Sequence, residues 1–577
     1  MNQRRCEDGL WPRPRLRRLR GWLRGVRQEL RWLRTIVAGS LALRPSAGNR
    51  GTRGGFLPDE RAAGTGEILL IHPGYSLARH YNNYEIVSSY LRKYAGYRTA
   101  ALVCNRVTLG CSFAPPVSVN RKLSNSVRQR LMCRACTNRL IARVGTFCDR
   151  LIFETDYVQG ADKRDVVAFL GGFPVRLGWD DYRSAMFRDY PVGQIAVETF
   201  QRQTYVGRVP EVRFEPGSLA YEFLRAAVMN VLVAEHIFAA NDFQAVLSNE
   251  MSYVSWAPFC HVALRRGIPV IHQLHTEHLG SGVDHVAVQV RRKTSDLMRD
   301  GRAPSESQFR SFLAHREGFE ERRARGQRYL EERRRAGRTG MATAAIRDHL
   351  RIEERSKVVG VFTHLCWDSS ATYGRNLFAS FEDWLTFTYK TAVKNDRVVW
   401  AFKIHPSEAR FGVNPAYNTT VLLESLMDED PRSHVRLIDA TAPFTLYDMC
   451  ELLHAGITAG GTVSMELPAF RVPCVSVNAG IHSGYGFTHD CLSVSDYERV
   501  LLSIDSLPPV NDDQQVLAAC YASFHFDPRE YLNVAPIFEQ SDLSDGAVAL
   551  FRLSEFLRRP ETRAYFERHL SLKLSSA

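Results

Sequence analysis

The 577-residue sequence has no run of 18 or more apolar residues, so no membrane-spanning helix is expected. It offers no secretory signal either: the amino terminus is basic but lacks a continuous apolar stretch and a small-residue cleavage site. Cysteine is sparse, 12 scattered through the chain, which excludes a disulfide-built scaffold and suits a reducing, cytoplasmic setting. Charge of one sign is scarce outside one end. Net charge is +13, but residues 1–60 carry 14 Arg against 5 acidic residues, so the remainder is nearly balanced. An apolar content of 45% with 24% charged residues is that of an ordinary folded protein. The length calls for two or three domains rather than a single core.

What that basic end does contain is a helical pattern. Within Trp11–Leu43, the residues Leu16, Leu19, Trp22, Leu23, Val26, Leu30, Leu33 and Val37 recur at helical spacing with Arg on the opposite face. This is the composition of a helix lying on an anionic membrane surface, here the inner face. A disordered basic tail and a helix docked on the protein's own body are the alternative readings. No recognition module accompanies the Arg run, which argues against a nucleic-acid partner. Residues Pro45–Gly66 read as a linker.

The chain then alternates strands and helices. Glu67–Ile71 is a short apolar strand ending at His72–Pro73–Gly74–Tyr75, as at the opening of a Rossmann-like unit whose ligand sits beyond the strand's carboxyl end. Asn83–Tyr94 reads as a helix and Thr99–Cys104 as a strand. Phe243–Leu247 is a strand ending at Ser248–Asn249–Glu250, followed by a helix over Ser255–Arg266 and a strand over Ile268–His272. His272, His275 and His278 then read as a histidine-rich loop at a cleft edge rather than as metal ligands. Arg291–Arg351 pairs Glu with Arg at i, i+4, which fits an exposed helical bridge.

A second strand series follows. Lys357–Phe362 opens it, a helix spans Asn376–Val393, and Arg397–Ile404 is a strand ending in His405–Pro406–Ser407–Glu408. Pro406 restricts the backbone there, and Lys403 and His405 can offer charge or hydrogen bonds to a phosphate. Val435–Leu437 is a strand, Phe444–Leu453 a helix, and Asp513–Leu570 is helical with a break. Cys104, Cys111, Cys133 and Cys136 fall within 33 residues. Four thiolates at about this density can hold zinc, and buried, inert cysteines are the commoner outcome. No other cofactor is expected.

The most informative stretch is Ala455–Asp490. A run of small and apolar residues ends in Gly460–Gly461–Thr462, and an amphipathic pattern of Val463, Met465, Leu467 and Phe470 takes over. Strand, glycine turn and helix start together make a phosphate-binding geometry. Glu466 lies one turn into that helix, and Pro468 implies that the helix is short or kinked. Cys474–Val477 is the next strand, and a loop rich in glycine and aromatics follows.

The order of these parts resembles the donor half of two-Rossmann-domain (GT-B) glycosyltransferases, particularly capsule and surface-polysaccharide biosynthesis proteins. The match covers Val358–Asp490 and, more loosely, Glu67–Leu279. It implies an α/β fold of two Rossmann-like domains facing a cleft, with a basic N-terminal helix and C-terminal helices that cross back to the first half. The corresponding divisions are residues 1–66, 67–290 (acceptor domain), 291–350 (bridge), 351–512 (donor domain) and 513–577.

On the resemblance, Gly460, Gly461 and Thr462 hold the phosphate of a nucleotide sugar, and Glu466 binds its ribose or sugar. Lys403, His405, Glu408 and Tyr485 complete the donor side, and no metal is required. The catalytic base is one of His72, Glu250, His275 and Asp368. The implied activity is transfer of a sugar to a polysaccharide or glycolipid acceptor. Sugar-nucleotide 2-epimerases share the plan, as do CDP-glycerol-type glycerophosphotransferases, which need a histidine pair facing one phosphate. A non-catalytic assembly protein of the same fold is the remaining alternative.

Overall fold

The computed structural model describes residues 66–71, 78–104, 127–276, 287–293, 306–314, 318–368, 374–411, 418–480, 482–525, 532–533 and 550–570. The Arg-rich segment of residues 11–43, His72 and Cys111 lie outside the described residues.

The first half opens with β1 (Gly66–Leu70), α1 (Ala78–Tyr94), β2 (Tyr97–Val103), α2 (Val127–Val144) and β3 (Arg150–Phe153). β1 reads GEILL and is buried along nearly its whole length, as a central parallel strand must be. A helical block interrupts the sheet: α3 (Gly160–Leu170), β4 (Arg176–Gly178), α4 (Trp179–Ser184), α5 (Val192–Thr204), β5 (Glu211–Arg213) and α6 (Leu219–Ala240). α6 is long and apolar enough to cross a membrane by length and composition, yet it is mostly buried inside the protein and forms its core. Glu222, Arg225, Asn230 and Glu235 punctuate its sequence, so no unbroken apolar run marks it.

β6 (Phe243–Ser248), α7 (Tyr253–Arg265), β7 (Val270–Thr276) and β8 (Ala287–Lys293) complete this half. The strand order is β8–β7–β6–β1–β2–β3, parallel except for β8. β7 runs further than its sequence suggests. Its antiparallel partner β8 extends the ladder, setting His272 opposite Arg291 and His275 opposite Val288. Both histidines therefore lie within a strand, not in a loop after it. For the same reason residues 291–293 are strand rather than charged helix.

The bridge consists of α8 (Glu306–Ala314), α9 (Phe319–Gly337) and α10 (Thr343–Leu350). The second half runs β9 (Val358–Phe362), β10 (Gly374–Asn376), α11 (Phe381–Ala392), β11 (Val399–Lys403), α12 (Ser407–Phe411), α13 (Thr419–Glu429), β12 (Val435–Ile438) and α14 (Leu446–Met449). It continues with β13 (Leu453–Thr458), α15 (Val463–Ala469), β14 (Cys474–Ser476), β15 (Asn478–Gly480), β16 (His489–Asp490) and α16 (Val494–Leu502). Two of these helices are shorter than their sequence patterns. α11 begins only at Phe381, where Ser380 accepts a hydrogen bond from the Asp383 N–H, because residues 374–376 pair with β15 instead. α14 is a single turn held by a Thr445–Asp448 capping box, and Leu453 already belongs to β13.

The last elements are α17 (Asp512–His525), β17 (Leu532–Asn533), α18 (Leu550–Arg558) and α19 (Pro560–His569). β17 joins the first sheet beside β8. Leu553, Phe556, Leu557, Tyr565 and Phe566 pack into the first half's core, where Phe566 stacks on Tyr90 at 4.4 Å. The chain thus crosses back. α17 also packs against α9 so closely that a Cβ on Gly326 would lie 1.8 Å from the Ala519 carbonyl oxygen.

The second sheet is wholly parallel in the order β12–β11–β9–β13–β14–β16. Each sheet places its first strand centrally and lays later strands outward in both directions, the doubly wound Rossmann pattern. The reversal points fall between β1 and β6, and between β9 and β13. Ligands of such sheets bind beyond the carboxyl ends of the strands at that reversal.

Candidate functional site

Three strand ends converge at the second reversal point. The Thr363 N–H donates to the Lys403 carbonyl at 3.1 Å, and the Thr363 hydroxyl accepts from the His405 N–H at 3.0 Å. The exits of β9 and β11 are thereby tied together. The next residue, His364, stacks face to face on Phe381 at 4.7 Å with a 10° interplanar angle. Its Nε2 lies 3.5 Å from the Thr458 hydroxyl at the end of β13. Burial, and then the neighbouring His405, pull the His364 pKa down to about 4.

His405 Nδ1 accepts the Ser407 N–H at 3.1 Å, so the ring proton is on Nε2 when the imidazole is neutral. Burial holds His405 below its ordinary value, with Asp368 opposing that shift and Lys403 reinforcing it. Asp368, a sequence candidate for the base, is therefore electrostatically coupled to His405. Lys403 is itself buried, which lowers its pKa against the opposing pull of Asp439. Two imidazoles and an ammonium, all with proton affinity reduced by burial, thus meet at one sheet edge. An arriving anion would restore that affinity.

The glycine turn closes the same edge. Gly460 has φ of +101°, a conformation glycine adopts without strain. Gly461 faces His364. Gly460, Gly461 and Thr462 are all half-buried, so the turn reaches solvent. α15 begins at Val463 and has only 7 residues, with Pro468 inside it. A helix this short contributes a truncated dipole, so the turn's amides and the two histidines matter more than the macrodipole here.

Other candidates from the sequence have partners within the fold. Glu408 is buried, and its two oxygens accept from the Thr419 N–H at 3.0 Å and the Thr420 hydroxyl at 3.3 Å, holding the first turn of α13. Tyr485 packs in an aromatic cluster with its ring 4.5 Å from Tyr521. Glu466 is 2% exposed. Its Oε1 accepts from Arg333 Nε of α9 at 2.9 Å and from the Tyr447 hydroxyl at 3.0 Å.

In the first half, Glu250 stands at the β1/β6 reversal, where its Oε1 accepts the N–H groups of Met251 and Ser252 at 2.9 and 3.1 Å. Tyr84 binds both strand ends there, donating to the Ile71 carbonyl at 2.8 Å and accepting from the Asn249 N–H at 2.9 Å. His72 is outside the described residues, as is the side chain of His275. Cys133 and Cys136 lie on helix α2. Among the described residues no group of three or more His, Cys, Asp or Glu is arranged to hold a metal.

The two halves meet beside the second reversal point. Gln201 Nε2 donates to the Cys366 carbonyl at 3.5 Å, and Tyr205 sets its ring edge-on to Trp367 at 4.8 Å. The Arg208 N–H donates to Glu382 Oε1 at 2.7 Å, and Arg183 reaches the Ala379 carbonyl at 2.6 Å. Gly207 leaves room for that carboxylate: a Cβ would lie 1.1 Å from Glu382 Oε1, so a side chain there would force the Glu382 side chain to move. Burial raises the Glu382 pKa to about 7, although the Arg208 N–H is among the groups drawing it down. A surface cavity of about 1180 Å³ lined by Lys390, Lys394, Arg432 and His434 lies at the opposite, amino-terminal edge of the second sheet, away from these groups.

Sequence reasoning passed over His364, Arg333 and the Gly207–Glu382 contact. A signal for His364 existed: β9 and β11 both end one residue before a short His-containing exit, Thr363–His364 and Ile404–His405. For Arg333, one of many arginines on a charged helix, the sequence carries no distinguishing mark.

No protein-family model matches the chain, and no curated protein matches it in sequence. Solved structures do match. The beta Kdo 2,4 transferase KpsC of Thermosulfurimonas dismutans is 13% identical, covering 48% of this chain and 79% of that one, with a TM-score of 0.32. The UDP-GlcNAc 2-epimerase of Neisseria meningitidis is 11% identical over 79% of this chain and 97% of its own, with a TM-score of 0.23. A UDP-forming alpha,alpha-trehalose-phosphate synthase from Burkholderia vietnamiensis is 8% identical over 80% and 95%, with a TM-score of 0.29. The chain itself is α/β, built on two Rossmann-like sheets, with C-terminal helices that return to the first half.

Proposed function

We infer that the protein is a glycosyltransferase that moves a sugar from a nucleotide-activated donor to a saccharide acceptor of surface or capsular polysaccharide type. The observation that carries this reading is the convergence of His364, His405 and the Gly460–Thr462 turn at the β9/β13 reversal. Cleavage of a nucleotide-sugar bond leaves negative charge on phosphate oxygen, and catalysis depends on groups already aimed at that charge. His405 Nε2–H, the His364 ring and the turn amides would receive the phosphate, with Lys403 adding charge behind them. No metal enters this scheme. The base would be Asp368 or Glu250, with His72 and His275 as further candidates. Glu466 would take a ribose hydroxyl on Oε2, the oxygen not used by Arg333 and Tyr447 among the described residues. The basic segment of residues 11–43 would hold the protein at the inner membrane surface.

The His364–His405 pair also favours a second reading, transfer of glycerophosphate from CDP-glycerol, which needs two histidines on one phosphate. Product analysis separates the classes. Incubation of the purified chain with UDP-, GDP-, CMP- and CDP-linked sugars and CDP-glycerol, with and without oligosaccharide acceptor, should release nucleotide from a sugar donor only when acceptor is present. Conversion of a UDP-sugar without acceptor would favour an epimerase, release of CMP from CDP-glycerol would favour the second reading, and no turnover of any donor would count against both transferases.

A further inference from the structure

Helix α9 belongs to the bridge, not to either sheet, yet one of its residues reaches a carboxylate on the helix that follows the glycine turn. Arg333 donates through Nε to Glu466 Oε1 at 2.9 Å and to the Tyr447 hydroxyl at 3.2 Å, and Tyr447 donates to the same Oε1 at 3.0 Å. Both bonds to Glu466 fall on Oε1, so Oε2 carries no hydrogen bond among the described residues. Arg333 Nη1 is steadied by the Tyr329 hydroxyl at 3.4 Å, one helical turn earlier. The Arg333 side chain is 34% exposed and that of Glu466 2%. The guanidinium therefore spans from a buried carboxylate to solvent.

The support behind this contact is extensive. α9 is pressed onto α17 at the Gly326–Ala519 crossing. Leu330 of α9, Met465 of α15 and Tyr521 of α17 share one apolar cluster. Gly337, at the end of α9, packs flat against the Tyr447 ring, where a Cβ would come within 2.3 Å. Arg333 is thus delivered to a fixed point. A buried ion pair of this kind seldom adds much stability, because desolvation offsets attraction, but it does fix orientation.

We propose that Arg333 is a positioning residue for nucleotide recognition: it occupies Oε1 of Glu466 and holds the carboxylate so that Oε2 accepts a hydroxyl of the donor's ribose. This rests on the reading of the β9/β13 edge as a nucleotide site, and it makes selection of ribonucleotides depend on the bridge. Without Arg333, Glu466 is free to rotate or to lose its second partner, and the ribose bond is no longer preorganised.

Calorimetric titration of the full chain with UDP, GDP, CDP and CMP, and with their 2′-deoxy and 3′-deoxy forms, tests this. For whichever nucleotide binds, wild type should prefer the ribo form over at least one deoxy form by about tenfold, the loss expected for one hydrogen bond to a charged acceptor. Arg333→Met should bind ribo and deoxy forms alike, with deoxy affinity unchanged. Tyr447→Phe, which keeps the ring and the Arg333–Glu466 bond but removes the hydroxyl's bonds to Glu466 Oε1 and Arg333 Nε, should shift the ratio the same way by less, and it serves as the test if Arg333→Met does not fold. A ribo preference retained in Arg333→Met, or equal loss of ribo and deoxy affinity, overturns the proposal. A wild type that binds nucleotide through His405 but ignores the ribose hydroxyls overturns it while leaving the nucleotide site intact. If none of the four nucleotides binds, both fall together.

Discussion

A Cβ placed on Gly461 would lie 3.3 Å from both Cε1 and Nε2 of His364. The turn after β13 and the imidazole after β9 therefore share one surface with no room for a side chain between them. Gly461→Ala forces that ring to shift by a few tenths of an ångström. The expected cost in stability is small, about 1 kcal/mol. Nucleotide affinity should fall about tenfold, because the ring and the turn amides would no longer address the same phosphate. Calorimetry with the tightest-binding nucleotide, alongside a melting curve, checks both halves of this expectation.

The two histidines differ in what they lose. His405 is anchored by its backbone and by Ser407, whereas His364 is anchored by stacking on Phe381. His405→Ala should abolish phosphate-dependent binding while leaving the melting temperature close to wild type. His364→Ala also removes a half-buried ring stacked on Phe381 and should lower stability by about 1 kcal/mol. Titration with inorganic phosphate and with nucleotide distinguishes the two outcomes.

Stability should depend on pH through two half-buried groups of opposite sign, His364 and Glu382. His364 titrates near 4 when folded against an ordinary 6.5, so between those values the unfolded chain takes up the proton the folded one refuses. Its contribution rises with pH over that window and levels off above it. Glu382 titrates near 7 when folded against an ordinary 4.5, so the folded chain holds the proton and its contribution falls as pH rises from 4.5 to 7. The two slopes oppose each other, each at most about 1.4 kcal/mol per pH unit. His364→Gln should expose the falling limb and Glu382→Gln the rising one, in melting temperatures measured from pH 4.5 to 7.

Gly207 and Glu382 test the contact between the halves. Gly207→Ala should destabilise by about 1–3 kcal/mol through overpacking against the carboxylate. In a Glu382→Ala background the same substitution should cost much less, and the difference reports the contact directly. Equal costs in both backgrounds would mean that the two residues do not meet.

Much of the second sheet was legible because its strands are short, largely apolar runs that lead within two residues into histidine or glycine, as at Val358–Phe362 and Ala455–Thr458. The glycine turn and His405 were legible because both follow such runs directly. β7 was cut short because its continuation through His275 depends on pairing with β8, a partner more than ten residues away that local alternation does not reveal. α6 was missed because polar residues interrupt its apolar pattern yet are carried into the core, as where Asn230 Nδ2 donates to the Val254 carbonyl at 2.7 Å. The engagement of Glu408 with α13 and of Glu466 with Arg333 could not be read either. A carboxylate looks the same in sequence whether it waits for a ligand or already holds a partner, and only tertiary contact separates the two.

The most direct measurement is the melting temperature of wild type and His405→Ala against UDP-, GDP-, CMP- and CDP-sugars. A ligand that binds only the folded state raises it, by about 3 kcal/mol of added stability at a hundredfold excess over Kd. The expected result is a clear rise with one donor class in wild type that is lost in His405→Ala. A wild type indifferent to all four, or a rise that survives in His405→Ala, would contradict a nucleotide-sugar site at the β9/β13 edge.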